Sequence, residues 1–340
     1  MKFDYCLGNP PYQDPKTGST KQLWFDFLEA TKDIASVKCM IHPGRWVIPT
    51  KAYEKYRDAI INDLKCNSFK YYPNAEDVFS IGGLQIGGGI SITFFNKNNT
   101  KEPIYYVNDV NMGNYHINDK IFSSLFEQEA YSKIFNKLDN TNTMSSYIYS
   151  MATLGYHAFE YIKDCNNDYI KDTPDNMKNP IKIWITKNTG RGVSKFKWYF
   201  IDKEYLVNIP DKLYSKKVMI SSMGYGSAAT QNNVFNHNPE ICDNNQIGMG
   251  SFFIIPVNER ERELQLIKSL FMTRTARYLM LITQKTMYVC GFENVPDYLE
   301  LAKLLPEDQL FSDEWFYKTF DFSKELINEI ETRVSEKVEK

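Results

Sequence analysis

The chain has 340 residues, with 40 Lys+Arg against 42 Asp+Glu and a net charge of −2. That length accommodates two domains and a sizeable core, and the charge balance excludes a chain that binds nucleic acid through overall basicity. Hydrophobic residues at 43% are ordinary for a globular protein, while aromatics at 15% supply core filling and, equally, platforms for base stacking.

The first element is an apolar run, Tyr5-Cys6-Leu7, which reads as a buried strand. It breaks at Gly8 into Asn9-Pro10-Pro11-Tyr12. Two prolines fix φ and remove two N–H groups, and Asn9 is pushed toward extended backbone by the proline after it. The loop would present carbonyl oxygens, one side-chain amide and one ring at a strand's carboxyl end, where α/β folds place ligands. These groups suit chemistry on an exocyclic amine. Its lone pair is delocalised into the base, and two acceptors on its two N–H bonds favour a more tetrahedral, nucleophilic nitrogen. The Asn9 amide oxygen and the Pro10 carbonyl are the two acceptors, and Tyr12 is a stacking ring. Neither acceptor is a general base near pH 7, so their contribution is positioning and electrostatics. The same string also fits a plain polyproline-like turn.

Downstream, Gln13 to Gln22 reads as a polar loop, Leu23 to Ile34 as a helix and Val37 to Ile41 as a strand ending at His42-Pro43-Gly44. A second helix is predicted from about Ala52 to Leu64 and another strand over Ser68 to Tyr72. The strand–helix–strand–helix–strand order predicts parallel α/β units. Gly82, Gly83, Gly87, Gly88 and Gly89 precede the strand Ile90 to Phe95 and do not open a helix, which excludes a dinucleotide turn or a P-loop. They fit either a tight hairpin or a backbone held close to a base or phosphate. Ile104 to Val107 is a short strand, and Ile117 to Leu138 is predicted as one long helix joining two domains.

From Ser150 to Val257 short strands alternate with turns, at Ile181–Thr186, Trp198–Ile201, Lys217–Ser222 and Phe252–Pro256. Lys187, Arg191, Lys195, Lys197, Lys216 and Lys217 gather here with Trp184, Trp198 and Tyr225, a mixture suited to duplex DNA. Residues 181–290 carry 15 basic against 8 acidic side chains, and residues 291–340 carry 6 against 13. A helix is predicted from Asn258, as cap, to about Lys285, with Arg274 and Arg277 on its polar face, although an ordinary amphipathic helix accounts for them as well. Six separated cysteines without a C-x-x-C pair read as reduced thiols of a cytosolic protein, and the four histidines show no metal spacing. Lys2 and Asp4 interrupt any early signal-like run, and no apolar stretch reaches membrane-span length.

The tetrapeptide Asn9-Pro10-Pro11-Tyr12, with its preceding strand, resembles motif IV of the N6-adenine DNA methyltransferases of type II restriction–modification systems. Val37 to Trp46 resembles that family's strand followed by Pro, x, Arg, Trp. Asp77-Val78-Phe79 with Gly88-Gly89-Ile90-Ser91 resembles its "vF…GG(V/I)" segment. The resemblance is strongest over residues 3–12 and is carried elsewhere by pattern. It implies the second half of a Rossmann-like class I methyltransferase sheet, followed by an α+β target-recognition domain. The implied divisions are 1–116 catalytic, 117–139 a connecting helix, 140–290 DNA-binding and 291–340 a helical end. It further implies S-adenosyl-L-methionine as methyl donor, with Asn9 beside it, and Phe79 as a second base-stacking ring unless it is a core phenylalanine. Double-stranded DNA is the implied substrate, in the bacterial cytoplasm at the nucleoid. No strand followed by a Gly-rich turn and a helix occurs in the chain, so the cofactor-binding half is expected on a partner polypeptide or domain. A DNA-binding specificity module without catalysis is the alternative.

Overall fold

The computed structural model describes residues 3–13, 22–47, 51–79, 86, 88–117, 119–150, 161–185, 197–221, 238–248, 251–282 and 291–334. It is a mixed α/β structure that divides into two compact units, Met1–Gln128 and Glu129–Lys340.

The first unit is built on a six-stranded sheet: β1 (Phe3–Gly8), β2 (Ala35–Pro43), β3 (Cys66–Tyr72), β4 (Ile90–Asn96), β5 (Ile104–Val107) and β6 (Val110–Asn114), in the order β1-β2-β4-β3-β5-β6. Strand β1 runs parallel to β2, as the sequence predicts, with α1 (Leu23–Ala30) between them. Strand β4, however, inserts antiparallel between β2 and β3. The carboxyl ends of β1, β2 and β3 therefore still share one edge of the sheet with the amino end of β4.

One face of this sheet carries the core. Met40, His42, Thr93, Phe95, Phe69 and Tyr71 are all buried there, and α1 brings down Trp24 and Leu28. Trp46 and Phe69 meet edge-on at 4.9 Å, with Tyr115 5.3 Å from Phe69. The helix α2 (Lys51–Asp58) runs on into one π-turn, Ala59–Asp63, which buries Ile60.

The prediction of one helix over Ile117 to Leu138 fails at its start. The helix α3 is confined to Leu125–Phe135. Ser124 stops it, because its hydroxyl accepts from the Glu127 N–H (3.2 Å) while the Glu127 carboxylate accepts from the Ser123 N–H (2.6 Å). This reciprocal cap fixes the first turn more firmly than the apolar spacing upstream could extend it. The unit boundary falls inside α3.

The second unit contains β7 (Ile148–Ser150), β8 (Pro180–Ile185), β9 (Lys197–Asp202), β10 (Lys217–Ser221), β11 (Glu240–Cys242), β12 (Gln246–Gly248) and β13 (Ser251–Ile254). They form a four-stranded sheet, β11-β10-β13-β7, and a three-stranded sheet, β12-β8-β9. Ile181, Ile183, Ile185 and Ile201 pack with Phe253 and Met219 in a shared core. The helices α4 (Glu261–Met272), α5 (Arg274–Leu281), α6 (Tyr298–Ala302), α7 (Asp313–Thr319) and α8 (Lys324–Arg333) follow. The single helix predicted from Asn258 is thus two. Thr273, with ψ 144°, breaks it and caps α5 by accepting from the Ala276 N–H. Asn258 is not the cap; its side chain donates to Glu263 at 2.9 Å. No helix among the described residues is long and apolar enough to cross a membrane.

Candidate active site and nucleic-acid surface

Asn9 to Tyr12 follow β1, and Phe79 follows β3, on the shared carboxyl edge of β1, β2 and β3. Asn9 follows β1 directly. It is exposed and makes no hydrogen bond to any described residue. Pro10 is buried behind it and Pro11 is exposed. With Pro10 buried behind it, the Asn9 amide lies at the carboxyl end of β1, its oxygen and N–H groups unengaged by any described residue.

Tyr12 is only half-presented. Its ring is half-buried, and its hydroxyl is shut away from solvent without a hydrogen-bond partner among the described residues. Burial pushes that hydroxyl up to about 12. It is therefore neutral across the physiological range, and the ring's remaining open surface is apolar.

The loop after β3 places Phe79 on the same edge. A short 3-10 turn, Ala75–Asp77, is capped by Asn74, and the Phe79 N–H closes on the Ala75 carbonyl at 3.0 Å. Phe79 is half-buried, so it is neither a core ring nor a free one.

Gly88 and Gly89 are taken up by packing. Their φ values are +89° and +67°, and a Cβ on Gly89 would sit 2.3 Å from the Tyr72 carbonyl oxygen. A Cβ on Gly88 would meet the Arg45 side chain at 2.2 Å. Gly44 N–H donates to the Gly89 carbonyl at 2.8 Å. These two glycines tie the start of β4 to the ends of β2 and β3, a packing role; the expected tight hairpin is not what they form, since residues 73–89 separate β3 from β4. Gly82, Gly83 and Gly87 lie outside the described residues.

Beneath this edge lies a buried polar relay that the sequence reading left unassigned. His42 stacks on Trp24, its Nε2 is 2.9 Å from the Thr93 hydroxyl, and Thr93 is 3.0 Å from Ser91. Its Nδ1 lies 3.3 Å from the Pro43 carbonyl. A neutral ring donating to Pro43 and accepting from Thr93 satisfies both contacts, and burial holds its pKa down at about 4. The alternation of Ser91 and Thr93 on one strand face was the available signal.

Of the basic residues proposed for DNA, Lys187, Arg191 and Lys195 lie outside the described residues, as does Tyr225. Lys197 and Lys216 are exposed, with Lys197 paired to Asp172 at 2.8 Å. Lys217 is corrected. It is fully buried, and its ammonium donates to the carbonyls of Leu213, Ser215 and Asp243 at 2.7, 3.0 and 3.2 Å. A charge committed to three carbonyls stitches loops together and does not reach phosphate. Arg277 is likewise buried, donating to the Thr273 and Met272 carbonyls at the end of α4. Trp184 and Trp198 face each other across β8 and β9 at 5.4 Å, edge to face. Lys182, which the sequence reading missed, stands two residues before Trp184 on the same face, 5.0 Å over the Trp198 ring.

The buried strand expected at Tyr5 to Leu7 is also corrected. Strand β1 is an outer strand of its sheet, and Phe3, Tyr5 and Leu7 are 51, 72 and 78% exposed.

Residues 1–79 match the family model of the Eco57I restriction-modification methylase. No curated protein matches. Among solved structures, the chain is similar to the type IIG restriction endonuclease BpuSI at 10% identity and a TM-score of 0.32, over 95% of this chain and 50% of that one. It is similar to the type IIL restriction-modification enzyme MmeI, solved with DNA, at 10% identity and 0.37, over 94% and 48%. A modification subunit of a putative type I restriction enzyme from Vibrio vulnificus YJ016 is similar at 15% identity and 0.24, over 44% and 36%. The chain thus spans half or less of the length of each of these structures.

Proposed function

We propose that residues 1–79 are the catalytic part of a DNA methyltransferase of the restriction–modification type, acting on N6 of adenine in a specific sequence. The observation that carries this reading is the exposed Asn9 amide, which makes no hydrogen bond to a described residue, beyond a buried Pro10, at the edge where β1, β2 and β3 all end. An extruded adenine would enter there. The Asn9 oxygen and the Pro10 carbonyl accept from its amine, Pro11 stiffens the loop, and Tyr12 and Phe79 offer their apolar faces to the base. Flipping a base costs a few kcal/mol and stacking returns roughly 1–3 per ring. The second unit would hold the duplex through Lys197, Lys216, Lys182 and the two tryptophans, together with Lys187, Arg191 and Lys195.

S-adenosyl-L-methionine, the implied methyl donor, does not fit the residues present. In a doubly wound sheet its site lies between the catalytic strand and the next strand outward, which carries a Gly-rich turn. Among the described residues β1 is the last strand on that side, and only Asn9 is placed to line such a site. Methyl transfer therefore needs a complementary half.

The test is methylation of duplex DNA by this chain together with a cofactor-binding methyltransferase half, made as a separate polypeptide. Transfer to adenine N6, abolished by Asn9→Ala while DNA affinity is kept, is the expected result. Transfer that survives Asn9→Ala would remove the amide from the mechanism, and DNA binding without transfer under any complementation would leave a specificity module.

A further inference from the structure

We infer that a cavity at the edge of the first sheet opposite to Asn9 is a second ligand site, built for a nucleoside monophosphate. The inference is independent of the methyltransferase reading.

Strands β3 and β5 run parallel and begin at this edge, at Cys66 and Ile104, and the antiparallel β4 and β6 end at it, at Asn96 and Asn114. Asn9 lies at the other edge, beyond the carboxyl end of β1. The cavity opens between the π-turn before β3, the segment joining β4 to β5 and the residues that follow β6. Its volume is about 420 Å³, within the span of about 300–1,000 Å³ common for small-molecule sites.

The walls are fixed before any ligand arrives. Asn99 spends its whole side chain on them, donating to the Cys66 and Lys101 carbonyls at 2.9 and 2.8 Å and accepting from the Lys101 N–H at 3.2 Å. Lys65 ends the π-turn with φ +58°, and its carbonyl accepts from the Asn96 N–H at 3.0 Å. Glycine or asparagine is the ordinary residue in that left-handed conformation, and lysine is strained there. Backbone strain retained in a cavity wall is evidence that the side chain it carries has a use.

The lining divides in two. Its buried and half-buried part is apolar, from Ile61, Pro103, Tyr115 and Ile117. Its exposed part carries Lys65, Lys101 and His116. Neither lysine makes an ion pair or a side-chain hydrogen bond to a described residue. Glu102 is the single acidic residue of the lining, and its carboxylate is engaged by His116 Nδ1 at 2.6 Å. Two uncompensated ammonium groups match the charge of a phosphate monoester better than that of a carboxylate. The apolar floor takes the flat ring, and Asn62 and Thr100, the remaining members of the lining, offer hydrogen bonds to its polar edge.

The experiment is isothermal titration of the full chain with cytidine and adenosine 5′-monophosphate, against cytidine and inorganic phosphate. At least one nucleotide should bind with a Kd below about 1 mM, and about tenfold or more tighter than cytidine or phosphate. Lys65→Gly is the discriminating variant. Glycine accepts the left-handed position, so the free chain should keep or raise its melting temperature while nucleotide affinity falls about fivefold or more. Lys101→Gln should weaken binding to a similar extent, and Asn9→Ala should leave it unchanged. Failure of both nucleotides to bind at about 10 mM overturns the inference, as does an affinity that the two lysine variants leave intact. Binding abolished by Asn9→Ala overturns it too, because the nucleotide would then sit at the catalytic edge. Inorganic phosphate bound as tightly as the nucleotides overturns it in favour of a bare anion site. Duplex DNA that loses as much affinity in Lys65→Gly as the nucleotides do overturns it in favour of a contact to the DNA backbone.

Discussion

Trp24 and His42 lie face to face, their ring centroids 4.8 Å apart and their planes 3° from parallel. The contact joins α1 to the end of β2 and keeps a titratable ring in a fully buried place. The folded ring titrates at about 4, against an ordinary value near 6.5. Between those values only the unfolded chain takes up the proton. Stability is therefore complete above about pH 6.5 and falls as the pH drops toward 4, by about 2 kcal/mol at pH 5. Urea unfolding followed by tryptophan fluorescence should show this loss in wild type, and His42→Gln should flatten the slope between pH 7 and 5.

Gly89 should tolerate alanine less well than Gly88. Both have positive φ, but the added methyl at Gly89 meets a fixed carbonyl, that of Tyr72, whereas at Gly88 it meets the flexible Arg45 side chain. Gly88→Ala is expected to cost about 1–2 kcal/mol and Gly89→Ala about 2–4. Chemical denaturation of the two variants orders them, and equal losses would mean that the Tyr72 strand end yields.

Local punctuation made much of the first unit legible. Gly8 and the two prolines ended β1, and the Pro43-Gly44 step ended β2 on the same edge. The position of β4 between β2 and β3 was not legible, because strand order depends on long-range pairing and adjacent apolar runs do not encode it. The exposure of β1 was hidden for the same reason. Tyr5-Cys6-Leu7 has the composition of a strand between two others, and composition cannot tell whether both neighbours are present. Lys217 shows a further limit. In sequence it continues a basic cluster, and only the three carbonyls converging on its ammonium distinguish it from exposed Lys216.

That distinction separates two lysine variants. Lys217→Met leaves one buried and two partly buried carbonyls without their donor and should destabilise the second unit by roughly 1–3 kcal/mol. Lys197→Gln with Lys216→Gln removes two exposed charges and one surface pair, Lys197 with Asp172, worth at most about 1 kcal/mol. It should change stability by no more than about 1 kcal/mol, weaken DNA binding similarly across sequences and lower the slope of log affinity against log salt by about 2. Fluorescence anisotropy over a salt series, with a melting curve for each variant, reads both outcomes; an unchanged slope would remove Lys197 and Lys216 from the DNA surface.

Tyr12 offers a separation of ring from hydroxyl. The hydroxyl is enclosed and makes no hydrogen bond to a described residue, so Tyr12→Phe should stabilise the first unit by about 1 kcal/mol by removing an unsatisfied group. Methyl transfer by the complemented enzyme should be unchanged, because the phenyl face is kept. Tyr12→Ala removes the face itself and should weaken capture of the extruded base by 1–3 kcal/mol, about 5- to 150-fold in kcat/KM. A substrate carrying an abasic site opposite the target adenine lowers the flipping cost. It should recover part of the loss in Tyr12→Ala and gain little in Tyr12→Phe. If Tyr12→Phe loses activity as deeply as Tyr12→Ala, the hydroxyl must turn outward on binding and take part in holding the base, and the enclosed position seen here would belong to the unliganded loop alone.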